Sequence, residues 1–201
     1  MRYVKRKYGV AGKALKVPIS IGTLHKMSLQ IPGWPTPTRM KHNDMVFVAA
    51  SIIATIGFLR GGEFLFTESP GRPLLRHCDV SIAGGNDDPS TVSVCVAQLK
   101  ARWWLQSVTV PCFDPGISCP VRPCFWLNAY RRLSLVALSA SGPAFVLIDG
   151  SPLSKSWMLA RTNALLLRAG IKLADETGRP VHAKASSWRA GGSIGEAGRP
   201  E

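Results

Sequence analysis

Two arginine-centred segments, far apart in the chain, carry the residues best suited to chemistry. The first is Gly57-Phe58-Leu59-Arg60-Gly61-Gly62-Glu63-Phe64. The second is Ser186-Ser187-Trp188-Arg189-Ala190-Gly191-Gly192, followed by Glu196-Ala197-Gly198. Each sets an arginine beside small residues, where a phosphate oxygen can approach closely. A guanidinium held by packing offers its planar fork to two phosphate oxygens at once. Plainer readings stand beside this one: Arg60 pairs locally with Glu63 at a helix end, and Arg189 is a surface arginine in a glycine-rich tail. A third cation, Lys100, lies in Val96-Ala97-Gln98-Leu99-Lys100-Ala101-Arg102, on or beside a turn between two predicted strands. A lysine there is ordinarily a solvated charge.

The elements that must position these side chains follow from the pattern. The uncharged run 46–59 is apolar on nearly all sides, which predicts a central buried helix capped by Asn43-Asp44 and leading straight into Arg60. Upstream, Pro18-Ile19-Ser20 begins a shorter helix with Ser20 as its cap, and Pro32-Gly33-Trp34-Pro35-Thr36-Pro37 must be a loop. Asp79-Val80-Ser81-Ile82 and Thr91-Val92-Ser93-Val94-Cys95-Val96 read as strands around the turn 84–88. Ser107-Val108-Thr109-Val110 reads as a third strand. Residues 124–138 read as a helix, and 145–148 as a brief extended segment turned by Asp149-Gly150. A last clear helix runs over 155–169, capped by Ser154 and closed by Gly170. The chain is again helical after Lys184. The predicted class is α+β: a mostly helical domain with a small three-stranded antiparallel sheet.

Bulk properties narrow the function classes. The chain has 201 residues, 46% of them hydrophobic, enough for one domain with a real core. Its formal net charge of +13 favours a polyanionic partner. The longest apolar run is too short to span a bilayer, which takes about 20 residues, so no membrane partner is expected. The five cysteines, Cys78, Cys95, Cys112, Cys119 and Cys124, fall in irregular spacing without a CxxC or a zinc-ligand pattern. Reduced thiols in an intracellular protein, with no metal, are the expectation.

Taken together, the arginine boxes, Lys100 and their order resemble the catalytic domain of the tyrosine recombinases (phage-integrase type), closest to those of eukaryotic mobile elements. In that family an arginine at a helix end with a nearby acid is followed by a lysine on a β-hairpin and then by a second arginine box. Further segments are similar: Ser118-Cys119-Pro120-Val121 ahead of Tyr130, Ala144-Phe145-Val146 with Asp149-Gly150 and Leu153, Ala169-Gly170-Ile171, and Val17-Pro18-Ile19-Ser20 at the start of the domain. The resemblance covers 17–201 and leaves 1–16 as a basic leader, a remnant of a core-binding domain. It implies that Arg60 and Arg189 grip a scissile phosphate, that Lys100 is the general acid for the leaving oxygen, and that Glu63 orients Arg60. It implies double-stranded DNA as the partner, homo-oligomers on that DNA and a nuclear location. No cofactor is implied, because the bond energy is kept in a phosphotyrosine.

The chain departs from the family pattern in two places. The second box opens on Ser186 where the family has histidine; His182 lies one helical turn earlier. No tyrosine follows Arg189 before Glu201, and Tyr3, Tyr8 and Tyr130 all precede it. The expectation is therefore a catalytic domain truncated at its C-terminal side, binding DNA without a nucleophile to cleave it. A reading from another class is a basic module, unrelated to recombinases, that holds RNA or single strands with Trp103-Trp104 beside Lys100 and Arg102.

Overall fold

The computed structural model describes residues 17–57, 59–66, 75–84, 89–98, 104–111, 122–173, 181–184 and 187. The apolar run becomes helix α2 (His42–Ile56), after a short helix α1 (Ile21–Ser28). Thirteen of the fifteen α2 residues are buried, so the helix forms the centre of the core and has no solvent face. Helix α4 (Pro123–Leu133) packs against it through Trp126, Leu127 and Tyr130, all almost fully buried. Their spacing puts them on one stripe, and burying each large apolar side chain contributes roughly 1.5–3 kcal/mol. Helix α5 (Lys155–Arg168) packs beside α1, with Ser154 as its cap: the Ser154 hydroxyl accepts from the Trp157 amide at 3.2 Å. A four-residue helix, α3 (Gly61–Phe64), follows α2 directly.

Strand β1 (Val80–Gly84) pairs antiparallel with β2 (Pro89–Gln98), which pairs antiparallel with β3 (Trp104–Pro111). Alternation on β2 turns Val92 and Val94 into the core. Arg131 of α4 donates to the carbonyls of His77 and Val80, which joins that helix to the start of the sheet. The layout is mixed α+β, with the helices as the main mass.

Several boundaries differ from the sequence expectation. Helix α2 starts at His42 with Lys41 as its N-cap, and Lys41 makes no side-chain capping bond. Asn43 and Asp44 are drawn to tertiary partners instead: Asn43 Oδ1 accepts from the Ile148 amide at 2.8 Å, and Asp44 pairs with Arg161. Helix α4 stops at Leu133, because the Leu135 amide bonds to His42 Nδ1 at 3.3 Å. In the proline-rich loop, Gly33 has a φ of +88°, and a Cβ there would lie 2.4 Å from the Arg39 carbonyl oxygen. The backbone turn therefore requires glycine.

Cys124 is disulfide-bonded, whereas Cys78 and Cys95 are free. The expectation of reduced cysteines is thus corrected at Cys124. Pairing is decided by closeness in space, which spacing along the chain does not reveal.

Candidate nucleic-acid interface

Arg60 emerges from α2 through a hooked helix end. The Gly57 amide donates to Ile53 O at 2.8 Å and the Leu59 amide to Ala54 O at 2.9 Å, and the Leu59 side chain is buried. The backbone is thereby fixed one residue before Arg60. Arg60 is then the N-cap of α3, extended at φ −75° and ψ 144°. Its amide donates to Glu63 Oε2 at 2.6 Å, and the Glu63 amide donates to Arg60 O at 2.7 Å. The other carboxylate oxygen, Oε1, stands 3.5 Å from Arg60 Nη1. Glu63 therefore holds both the main chain and the guanidinium of Arg60, and local pairing and outward presentation coexist. The Arg60 side chain is 51% exposed against 17% for Glu63, so its remaining donors face solvent.

A second element joins this segment. Phe66, just past α3, bridges in parallel to Ser154: its amide donates to Leu153 O at 3.0 Å, and the Lys155 amide donates to Phe66 O at 3.2 Å. The first turn of α5, with exposed Lys155 and Ser156, is thus tied to the Arg60 segment by main-chain bonds.

Of the other residues singled out in the sequence, Lys100, Ser186 and Arg189 lie outside the described residues, as do Trp103, Tyr3 and Tyr8. His182 is exposed, between buried Val181 and Ala183. The residue nearest Arg189 that is described is Ser187. It is fully buried, its carbonyl accepts from the Ile19 amide at 3.0 Å, and its hydroxyl accepts from the Lys184 amide at 2.9 Å. Ser187 is therefore moored to Ile19, which precedes α1. Tyr130 is buried, and its hydroxyl accepts from the Val146 amide at 3.0 Å. Burial pushes its phenol pKa above the ordinary 10.0, so it is no candidate nucleophile.

Sequence reasoning missed His42. It is buried, takes the Leu135 amide on Nδ1 and places Nε2 2.9 Å from Val146 O. An acceptor at Nδ1 requires the neutral tautomer with its proton on Nε2. No signal in the local sequence marks it, because both partners are about a hundred residues away. Among the described residues no group of three or more His, Cys, Asp or Glu side chains is arranged to hold a metal, and no helix is long and apolar enough to cross a membrane.

No protein-family model matches the chain, and no curated protein matches it. Solved structures do. The chain aligns with the XerH site-specific recombinase in a post-cleavage complex on palindromic difH substrate with a TM-score of 0.50 and 14% identity, over 90% of this chain and 42% of that one. The pre-cleavage XerH–difH complex gives a TM-score of 0.49, 14% identity and the same coverage. The chain thus spans 42% of the length of these recombinase chains. The post-cleavage alignment shows that the fold is recombinase-like.

Proposed function

We propose that this protein binds double-stranded DNA through a tyrosine-recombinase-like catalytic surface, in which Arg60, Lys100 and Arg189 hold one phosphate. The observation that carries the reading is Arg60: a half-exposed guanidinium on a backbone fixed by Glu63, at the exit of the buried central helix of a recombinase-like fold. The net charge of +13 supports a polyanionic partner. Lys100 would lie where it can protonate a leaving oxygen, and Glu63 would orient Arg60. The activity proposed is DNA binding, and Tyr130, which is buried, takes no chemical part in it. Ancestry in a mobile element, a nuclear location and assembly of several copies on DNA belong to the same proposal, and their support is the motif order alone.

The test is duplex binding measured across salt concentrations. Each phosphate contact contributes about 0.9 to the slope of log affinity against log salt. Replacing Arg60 and Arg189 together by alanine should lower that slope by about 0.9, because both grip the same phosphate, and the affinity by about a hundredfold or more. An unchanged slope, or preference for single strands that is lost on Trp103→Ala, would overturn the proposal in favour of a single-strand-binding module.

A further inference from the structure

A cavity of about 770 Å³ opens at the other end of α2. A fifteen-residue helix is roughly 20 Å long, so the cavity and Arg60 lie at opposite ends of the central rod. Its volume is in the usual range for a small-molecule site, roughly 300–1,000 Å³. The lining is of two kinds. Lys41, Arg161 and Arg168 supply three cations against the single carboxylate of Asp44. Trp157, packed against the core, joins Leu135 and Ile148 as the apolar part. Asp44 is taken up by Arg161, whereas exposed Lys41 and Arg168 have no ion-pair partner among the described residues.

The walls are pinned. His42 accepts from the Leu135 amide and bonds to Val146 O, and Asn43 accepts from the Ile148 amide. Both loops that carry the apolar rim are therefore fastened to the first turn of α2. A site built this way loses little entropy when it fills.

We propose that this cavity binds a nucleoside phosphate, with the base against Trp157 and the apolar rim and the phosphates between Lys41, Arg161 and Arg168. A duplex backbone fits the cavity poorly, because its bases are stacked and paired and offer no free planar ring to set against Trp157. A purely apolar ligand would leave an excess of positive charge uncompensated. A compact anion joined to a planar ring satisfies both halves. The proposal does not depend on the DNA-binding reading.

Calorimetric titration of the intact protein in magnesium-free buffer tests it, with ATP, adenosine and inorganic triphosphate as probes. ATP should bind at least tenfold more tightly than either half-molecule. Lys41→Gln combined with Arg168→Gln should weaken ATP at least tenfold with an unchanged melting temperature, because both side chains are exposed and unpaired. Trp157→Leu should abolish the preference for ATP over triphosphate. Saturating ATP should leave duplex DNA affinity unaltered. Triphosphate binding as tight as ATP, retention of ATP affinity by the Lys41/Arg168 variant, or mutual displacement of ATP and duplex DNA would each overturn the proposal.

Discussion

Tyr130→Phe separates a structural tyrosine from a chemical one. The hydroxyl is fully buried and accepts from the Val146 amide at 3.0 Å, while the ring packs 5.8 Å from Phe145 and 6.1 Å from His42, centroid to centroid. Phenylalanine keeps the ring packing and removes the only acceptor that the described residues offer this amide. A buried donor left unpaired costs about 1–3 kcal/mol, part of which is offset by no longer burying a hydroxyl. The net expectation is a loss of about 1–2 kcal/mol. For a chain of this length that lowers the melting temperature by roughly 2–8 °C. Urea unfolding should show a lower midpoint with unchanged slope. The pH dependence has a fixed sign. Because burial raises the folded phenol pKa above 10.0, the stability from the neutral form is present below pH 10.0 and is lost as pH rises above it. The phenylalanine variant should lose that alkaline component. On a nicked suicide DNA substrate, wild type and variant should give the same covalent product, or none. A variant of unchanged stability that loses a covalent adduct would refute the reasoning, because the hydroxyl would then be reacting with DNA.

Three further outcomes follow from the same geometry. Asp44→Ala strips the partner from the partly buried Arg161 guanidinium and should cost about 1–2 kcal/mol; adding Arg161→Met should restore part of this in denaturant unfolding. The Ser51 hydroxyl is buried inside α2 without a partner among the described residues, so Ser51→Ala should raise the unfolding free energy by about 0.5–1 kcal/mol, read as a higher urea midpoint. Burial, reinforced by Arg131, lowers the His77 pKa below 6.5. Its contribution to stability is therefore complete above pH 6.5 and falls away as pH drops through the folded-state value, and in His77→Gln that acid-side loss should disappear from melting curves recorded across pH.

What could be read from the sequence was local. The all-round apolar run announced a central helix, Ser20 and Ser154 announced their helices, and the β-rich segment 91–96 announced a strand. What could not be read was set by partners far along the chain. Asn43 and Asp44 have the chemistry of helix caps, yet Ile148 and Arg161, more than a hundred residues later, claim their side chains, and the helix begins at His42 without a capping bond. The same competition ends α4 early, when His42 captures the Leu135 amide. Three successive residues at the start of α2 thus each fasten a different part of the chain.

The site divides along the same line. The Arg60–Glu63 spacing showed that the two residues would meet, and it left open whether their meeting excludes a ligand. The structure resolves that choice by splitting the work of the carboxylate: one oxygen takes the Arg60 amide at 2.6 Å and the other stands at 3.5 Å from the guanidinium. The short contact fixes the backbone, and the longer one orients the guanidinium while leaving its other donors open to a second anion. An exposed arginine usually pays the entropy of ordering a long side chain when it binds. Here the main-chain part of that cost is met in the folded state by the Leu59 hook and the Glu63 bond. A phosphate arriving at Arg60 therefore meets a guanidinium already oriented by Glu63, which lowers the side-chain entropy that binding must cost.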